Sequence, residues 1–448
     1  MIFLLVIAGI LGIYITYKYP AFVAVVFFTL TLADVNFKIG EFPLNTRAIV
    51  GIAAFARTFI DTKKDSRLGF YSSPAINIPL FTIYTLLITE FYDLITFEFI
   101  KSCALTFIAV YLGYYYYFKK NSSIYLKISL IIAGIICFSD LAYTYIFVGS
   151  FPVQRIYQRL LDVPIIYDQY GDVYEPVNWG FYGAICGMSF LFILNDFINK
   201  KSKQSLILLL LPVMFLGVLM STSRSSLLGM IGASIFLISK ELKDKERARR
   251  AYQLIFVALG VIILALFVFS VLSNYLNLDV EFIERISSRL VDEPIAVLNK
   301  YLGNTYNAQE LDALDWRGEA SEIGFKAFLD LTFVEQFFGI GFWGYATRDL
   351  GHTQLPPHNG PLMILIEYGI LGCIFWFYIF LSTIITSLKI SKLTSPVLII
   401  LLFYFLYCLG QNEEMTHGLF LMSLSTLIAE NRYIIHQNKY DKPILTST

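Results

Sequence analysis

Charge is what this sequence has least of. Only 15% of its residues are Asp, Glu, Lys or Arg, while 57% are hydrophobic; a soluble globular domain carries about 25% charged residues. With a mean hydropathy of +0.65, the composition excludes the soluble globular class and indicates an integral membrane protein. Acidic and basic residues balance at 34 each, so there is no field of one sign to hold a nucleic acid, and no nucleic-acid partner is expected. The five cysteines (Cys103, Cys137, Cys186, Cys373, Cys408) all fall inside apolar runs with neither CxxC nor metal-ligand spacing. They read as small buried hydrophobes, not as disulfides or ligands. The sequence also lacks an HExxH, an aspartate-x-aspartate pair, a His/Cys cluster, a Walker loop and a GxGxxG at a strand-helix junction. That excludes a nucleotide-sugar enzyme and an ATP-driven pump, and neither metal nor cofactor is expected. No internal repeat is visible. The first residues, 1–17, have no basic n-region and no small-x-small site before Lys18 and Pro20, so they read as a retained helix and not a signal peptide.

What the sequence does have is a succession of apolar runs. A spanning helix needs roughly 20 apolar residues, which predicts spans near 1–17, 20–34, 76–95, 99–118, 124–148, 179–198, 204–221, 225–239, 252–273, 361–387, 395–411 and 418–431. Residues 47–60 are short and carry Arg57, costly at the bilayer centre, so the total is 12 or 13. Basic clusters recur at Lys119-Lys120, Lys200 to Lys203, Lys240 to Arg250, Lys389 with Lys392, and in the C-terminal tail. An even number of spans separates each from the next, so all lie on one side, the cytoplasm by the positive-inside tendency. The expected fold class is all-α: a polytopic transmembrane helix bundle with one helical loop domain on the outer face. Its divisions are 1–273 (N-terminal spans), 274–358 (helical loop or cap), 359–431 (C-terminal spans) and 432–448 (cytoplasmic tail). Within the cap, Phe282, Ile286 and Leu290, then Ala320, Ile323, Ala327, Phe328 and Leu331, recur at helical spacing.

Three stretches can carry chemistry. In Ser221-Thr222-Ser223-Arg224, Thr222 or Ser223 is placed to cap the helix that follows, offering its positive end and the Arg224 guanidinium to an anion, above all a phosphate. The alternative is an interfacial arginine that snorkels or pairs with an acidic neighbour. In Pro357-His358-Asn359-Gly360-Pro361, Asn359 is a natural N-cap and Pro361 suits the first turn. His358, just ahead, is either a plain polar residue at a helix start or a group suited to proton transfer. Glu367, on the opposite face of that helix and deeper, is expected to meet a buried polar group. In the cap, Arg317 of Asp315-Trp316-Arg317-Gly318-Glu319 is a second candidate anion ligand. Arg285, Arg289 and Arg348 compete with it, and Arg155 with Arg159 form a further basic pair in an earlier outer loop.

Together these residues resemble the O-antigen ligase and Wzy-type O-antigen polymerase superfamily. The resemblance rests on Ser223-Arg224 opening a helix, on Phe338-Gly339-Ile340-Gly341-Phe342, on Pro176 to Asn178 before a helix, and on His358-Asn359 followed after nine residues by Gly369-Ile370-Leu371-Gly372. It is strongest over residues 150–375. The family often has Trp shortly after the loop arginine and Pro before the Gly-x-Gly turn; Ser321 and Glu335 stand near those places here. The resemblance implies a GT-C-like glycosyltransferase of the bacterial inner membrane that acts on the periplasmic face without metal or nucleotide. The donor would be an undecaprenyl-pyrophosphate-linked glycan, the acceptor a glycan or lipid A-core, and a chain-length regulator protein a further partner. His358, Arg224 and Arg317 would be catalytic, and Arg155, Arg159, Asn178, Ser223, Arg285, Arg289 and Asn359 would bind substrate. The leading expectation is a polymerase and the runner-up a ligase; a transporter or flippase is the third, disfavoured by the unlike halves and by polar groups at the outer interface instead of the midplane.

Overall fold

Apolar runs have few options in lipid: with no water for backbone N–H and C=O groups, each run closes its hydrogen bonds on itself as a helix. The computed structural model follows that rule. It describes residues 36–39, 42–62, 69–70, 73–120, 122–143, 179–199, 210–242, 244–250, 320–342, 344–347, 357, 359–390, 394–410 and 418–440, with isolated positions at 10, 11, 14, 17, 18, 252, 253, 295, 296, 299 and 302. The chain is an all-α polytopic protein with one small addition the periodicity did not signal, an antiparallel hairpin of β1 (Asn36–Ile39) and β2 (Phe42–Asn45) with Phe37 opposite Leu44.

The helices are α1 (Thr46–Thr62), α2 (Asn77–Phe91), α3 (Phe97–Lys120), α4 (Ser122–Tyr143), α5 (Trp179–Ile198), α6 (Leu210–Met220) and α7 (Arg224–Glu241). They continue with α8 (320–330), α9 (Phe333–Phe338), α10 (Gly344–Thr347), α11 (Gly360–Ile390), α12 (Pro396–Cys408) and α13 (Gly418–Tyr440). Among the described residues, Pro74–Phe91, Gly180–Ile198 and Gly360–Ile390 are long and apolar enough to cross a membrane, and Val50–Ile60, Phe99–Tyr115, Leu210–Met220 and Pro396–Cys408 are shorter apolar helices. The spans expected at 1–17, 20–34 and 252–273 lie outside the described residues apart from positions 10, 11, 14, 17, 252 and 253. The helix expected over 418–431 continues to Tyr440. A helix leaving an apolar layer need not end there, and Arg432 fixes this one by donating to the Gly69 carbonyl (2.6 Å) and the Tyr114 hydroxyl (2.9 Å).

Helix packing relies on small residues and hydroxyls, as it must where lipid offers no hydrophobic drive between helices. α13 lies along α3 with Gly113 so near that a Cβ there would sit 2.5 Å from the Met422 carbonyl oxygen, and Ser425 donates to the Val110 carbonyl at 2.6 Å. Contacts at helix ends fix the relative directions. α5 and α7 run parallel: Ser226 at the start of α7 bonds the Gly180 carbonyl, while Arg250, beyond the end of α7, bonds the Ile198 carbonyl. α12 runs antiparallel to α7, with Thr394 bonded to Glu241 and Gly410 bonded to Ser225. The starts of α5, α7 and α11 and the end of α12 therefore share one end of the bundle. The opposite end holds the Lys127–Asp196 and Arg247–Glu241 ion pairs.

Glu241 is buried, and its carboxylate accepts from the Thr394 backbone N–H, the Thr394 hydroxyl and Arg247. Glu241→Ala strands those donors and is expected to destabilise the protein by about 3 kcal/mol. Thermal unfolding in detergent measures this, and Glu241→Gln, which keeps an acceptor for Thr394, should lose less.

The long apolar run after Asn359 is not one uninterrupted helix. α11 breaks at Gly369 (φ 67°, ψ −176°), because the segment Phe338–Gly341 is inserted against it. The Ile340 N–H donates to the Ile366 carbonyl (3.3 Å) and the Gly341 N–H to the Glu367 carbonyl (2.9 Å). Backbone acceptors freed by the break are thus satisfied by the incoming chain. The Tyr84 hydroxyl of α2 lies 2.9 Å from the carbonyl oxygens of both Phe338 and Tyr368 and closes the junction.

Candidate active site

Four serines shape the reversal between α6 and α7. The Ser221 hydroxyl donates to the Val218 carbonyl (2.7 Å) and accepts from the Ser223 N–H (3.3 Å), and Thr222 takes the left-handed conformation (φ 50°) that turns the chain. The Ser223 hydroxyl then accepts from the Ser226 N–H at 3.3 Å as N-cap of α7, satisfying a donor that a helix start leaves open. This is the cap expected at Thr222 or Ser223, now assigned to Ser223. Ser226 bonds the Gly180 carbonyl at 2.9 Å, and Ser225 the Gly410 carbonyl at 3.1 Å. Gly183 leaves room for the turn to press on α5, since a Cβ there would lie 2.2 Å from the Ser221 hydroxyl. Arg224, partly buried, is the first residue of α7. It stands where the start of α5, the α6–α7 turn and the end of α12 converge, with the positive end of α7 beside its own charge.

A second group forms at the start of α11. The Asn359 side-chain oxygen accepts from the Leu362 N–H (3.1 Å) and its carbonyl from the Met363 N–H (3.0 Å), the capping role its residue type suggested. Just ahead, Pro357 is held by α8. Ser321 donates to its carbonyl at 2.7 Å, and Gly324 approaches so closely that a Cβ would sit 2.7 Å from the Pro357 Cβ. Between α8 and α11 lies a groove of ≈ 490 Å³ lined by Ser321, Glu322, Phe325, Asn359, Pro361, Leu362, Leu365 and Cys373. Glu322 is exposed and hydrogen-bonded to Lys326 at 2.7 Å. That hydrogen bond and the ammonium charge hold its carboxyl below the ordinary carboxylate range, so Glu322 stays ionised at neutral pH as one half of an exposed ion pair.

Of the residues singled out from the sequence, Ser223 and Arg224 sit in the first group and Asn359 in the second. Both groups are at the same end of the bundle, and α12 packs against both α7 and α11. His358, Arg317, Arg155, Arg159, Asn178, Arg285 and Arg289 lie outside the described residues, Asn178 immediately ahead of Trp179 and His358 between Pro357 and Asn359. The sequence assigned no tertiary contact to Ser226, Gly180, Gly410, Ser321 or Tyr84. Their partners are 36 to 284 residues away for Ser226, Ser321 and Tyr84, and no local pattern encodes such pairings. Among the described residues, no group of three or more His, Cys, Asp and Glu could hold a metal ion.

This geometry offers two capped helix starts and a guanidinium on one face of a membrane bundle, an arrangement that can bind a polyanion and orient a second group against it. Comparison with known families matches residues 207–377 to the family described as O-antigen ligase. The matched stretch takes in the α6–α7 turn with Arg224, the start of α11 and the Phe338–Gly341 insertion, and leaves Gly180, Gly410, Arg155, Arg159 and Asn178 outside it. Among curated proteins none matches the chain.

Proposed function

We propose, for a chain that belongs to the O-antigen ligase and polymerase superfamily through residues 207–377, that it is a periplasmic-face glycosyltransferase of the bacterial inner membrane. In this reading it polymerises undecaprenyl-pyrophosphate-linked oligosaccharide repeat units without metal or nucleotide. The observation that carries the reading is the Ser223-capped start of α7 with Arg224 on it, at the same bundle end as the Asn359-capped start of α11. A hydroxyl oxygen of the acceptor glycan attacks the anomeric carbon of the donor. The bond from that carbon to the pyrophosphate oxygen breaks, and lipid pyrophosphate leaves with the bonding pair. His358 takes the hydroxyl proton. Arg224, the α7 N-terminus and Arg317 meet the charge that develops on the leaving group. Ser223 holds the α7 end in place, Asn359 fixes the backbone that follows His358, and Arg155, Arg159, Asn178, Arg285 and Arg289 supply further contacts for two anionic lipids, donor and acceptor. The membrane domain is 1–273 with 359–431, the loop 274–358 covers its outer face, and a chain-length regulator protein is a further partner.

Transfer to lipid A-core is the second reading, favoured by the description of the matched family and by the His358-Asn359 spacing to Gly369. Deleting the gene separates the two. Loss of a polymerase leaves single repeats on lipid A-core; loss of a ligase leaves polymer on undecaprenyl pyrophosphate. A charged hydrogen-bonding partner contributes about 1.5–3 kcal/mol, so Arg224→Ala should lower turnover at limiting donor by roughly 10- to 100-fold, mainly through KM, with partial recovery in Arg224→Lys. Unchanged turnover at limiting donor would remove Arg224 from the site.

A further inference from the structure

The loop that carries α8, α9 and the Phe338–Gly341 insertion was expected to lie on the membrane domain as a cap. Its described part also reaches down beside two spans. Gly339 is packed against Glu367 and Tyr368, and Gly369 against Phe337. Gly369 is nine residues into Gly360–Ile390, about 13 Å along the helix at 1.5 Å per residue. Tyr84, which bonds the Phe338 carbonyl, is seven residues before the end of Pro74–Phe91, about 10 Å in. Two helices running in opposite directions thus place Phe338 at a similar distance below their ends.

The chain then climbs back. The Phe342 N–H donates to Thr89 (3.0 Å), about 3 Å from the same helix end, and the Phe342 ring stacks on Phe99 near the start of α3, centroids 4.6 Å apart. In the other direction α8 begins at the level of Pro357, where Gly324 is packed, and reaches Leu331, which clusters with Ile340 and Ile366. The segment 320–342 therefore descends, turns at α9 and ascends. The exposed edge of this wedge is apolar: Phe325, which borders the groove beside α11, is exposed together with Leu329, Phe333, Val334 and Phe338, Phe333 at 80%. Beside it on α11, Ile370, Leu371 and Ile374 are exposed on a helix that is itself a membrane span.

We propose that this wedge is an interfacial membrane anchor whose apolar edge, Phe325, Leu329, Phe333, Val334 and Phe338, is immersed in the outer part of the leaflet on the face where α11 begins, continuous with the lipid-facing side of α11. The depth fits. α11, with 31 residues in two helical segments that meet at the Gly369 break, amounts to about 46 Å of helix, which exceeds a hydrocarbon core of about 30 Å by roughly 8 Å at each end. That leaves Phe338 about 5 Å below the hydrocarbon boundary measured on α11 and about 10 Å measured on α2, the range of interfacial helices. Of the four charged side chains in the wedge, three are hydrogen-bonded and Asp330, at the end of α8, is exposed. Glu322 and Lys326 pair near the top, and the Glu335 carboxylate at the bottom is bonded to the Thr332 N–H (3.0 Å) and hydroxyl (2.8 Å) in a capping box. As a consequence the groove between α8 and α11 opens beside lipid, not beside bulk water alone.

Nitroxide labels at Phe333→Cys and Val334→Cys, made in a Cys373→Ala background and reconstituted in nanodiscs, test this. Ile374→Cys serves as the lipid reference and Glu322→Cys as the water reference. The ratio of oxygen to nickel-chelate collision rates at 333 and 334 should match that at 374 and exceed that at 322 several-fold. A ratio equal to that at 322, or exclusion of both reagents, overturns the proposal, the second outcome meaning a protein partner covers the edge. Should the labelled proteins fail to fold, Phe333→Trp keeps the bulk. Its added emission should be quenched more by lipids brominated near the headgroup than by those brominated near the chain end, and absence of quenching by either overturns the proposal.

Discussion

His358→Ala should lower glycosyl transfer by about 10²- to 10⁴-fold, the range a positioned proton acceptor contributes, with the loss in kcat and little change in donor KM. The expectation has a structural basis on either side of the residue. Pro357 is held through its carbonyl by Ser321 and against its ring by Gly324, and Asn359 is fixed as the N-cap of α11. The two neighbours are thus fixed by tertiary and capping hydrogen bonds, and catalysis by proton transfer depends on positioning of this kind. Single-turnover transfer with saturating donor separates the chemical step from binding. Wild-type rates in His358→Ala would refute the assignment, and a rise in KM alone would make His358 a binding group.

The second large effect concerns Gly369. Gly369→Ala places a Cβ 2.4 Å from the Gly339 nitrogen and 2.5 Å from the Phe337 oxygen, at a φ of 67° that side chains other than glycine adopt at a cost. Left-handed strain of about 1–2 kcal/mol adds to overpacking of about 1–3 kcal/mol, so a loss of about 2–5 kcal/mol is expected. The damage should spread to the whole Phe338–Gly341 insertion. Gly339 meets the same backbone from the other side, its own Cβ position 2.2 Å from the Glu367 oxygen. Thermal unfolding in detergent reads the loss. Gly372→Ala is a useful comparison: its Cβ would press mainly on the Tyr368 and Tyr84 side chains, at a helical φ, so it should cost less than Gly369→Ala. Equal stability of Gly369→Ala and wild type would show that the break does not need its glycine.

These two sites also show what a sequence discloses. The caps at Ser223 and Asn359 were legible because capping is local chemistry: a short polar side chain two or three residues ahead of the amides it satisfies. The apolar stripe of α8 was legible for the same reason, and Ala320, Ala327, Phe328 and Leu331 are buried as the spacing implied. Gly369 stood out in the sequence only as part of a spacing, His358-Asn359 to Gly369, and read as a residue inside one continuous helix. That a distant Phe338–Gly341 segment breaks the helix there, and that Tyr84 seals the break, depends on pairings over 26 and 284 residues. The same holds for Ser226 with Gly180 and Ser225 with Gly410. Membrane composition tells where helices form, and tertiary hydrogen bonds decide which ends meet.

One such meeting bears on how tightly the candidate anion site is held. α7 and α12 are joined at both extremities, through Ser225 and Gly410 at the Arg224 end and through Glu241 and Thr394 at the other. A helix pinned at one end can rock about that point; pinned at both, it loses the lever. The root of Arg224 is therefore settled before any ligand arrives, and a phosphate received there meets a charge whose backbone has no tilt left to surrender. Much of the ordering that binding normally imposes on a protein has already been done by folding.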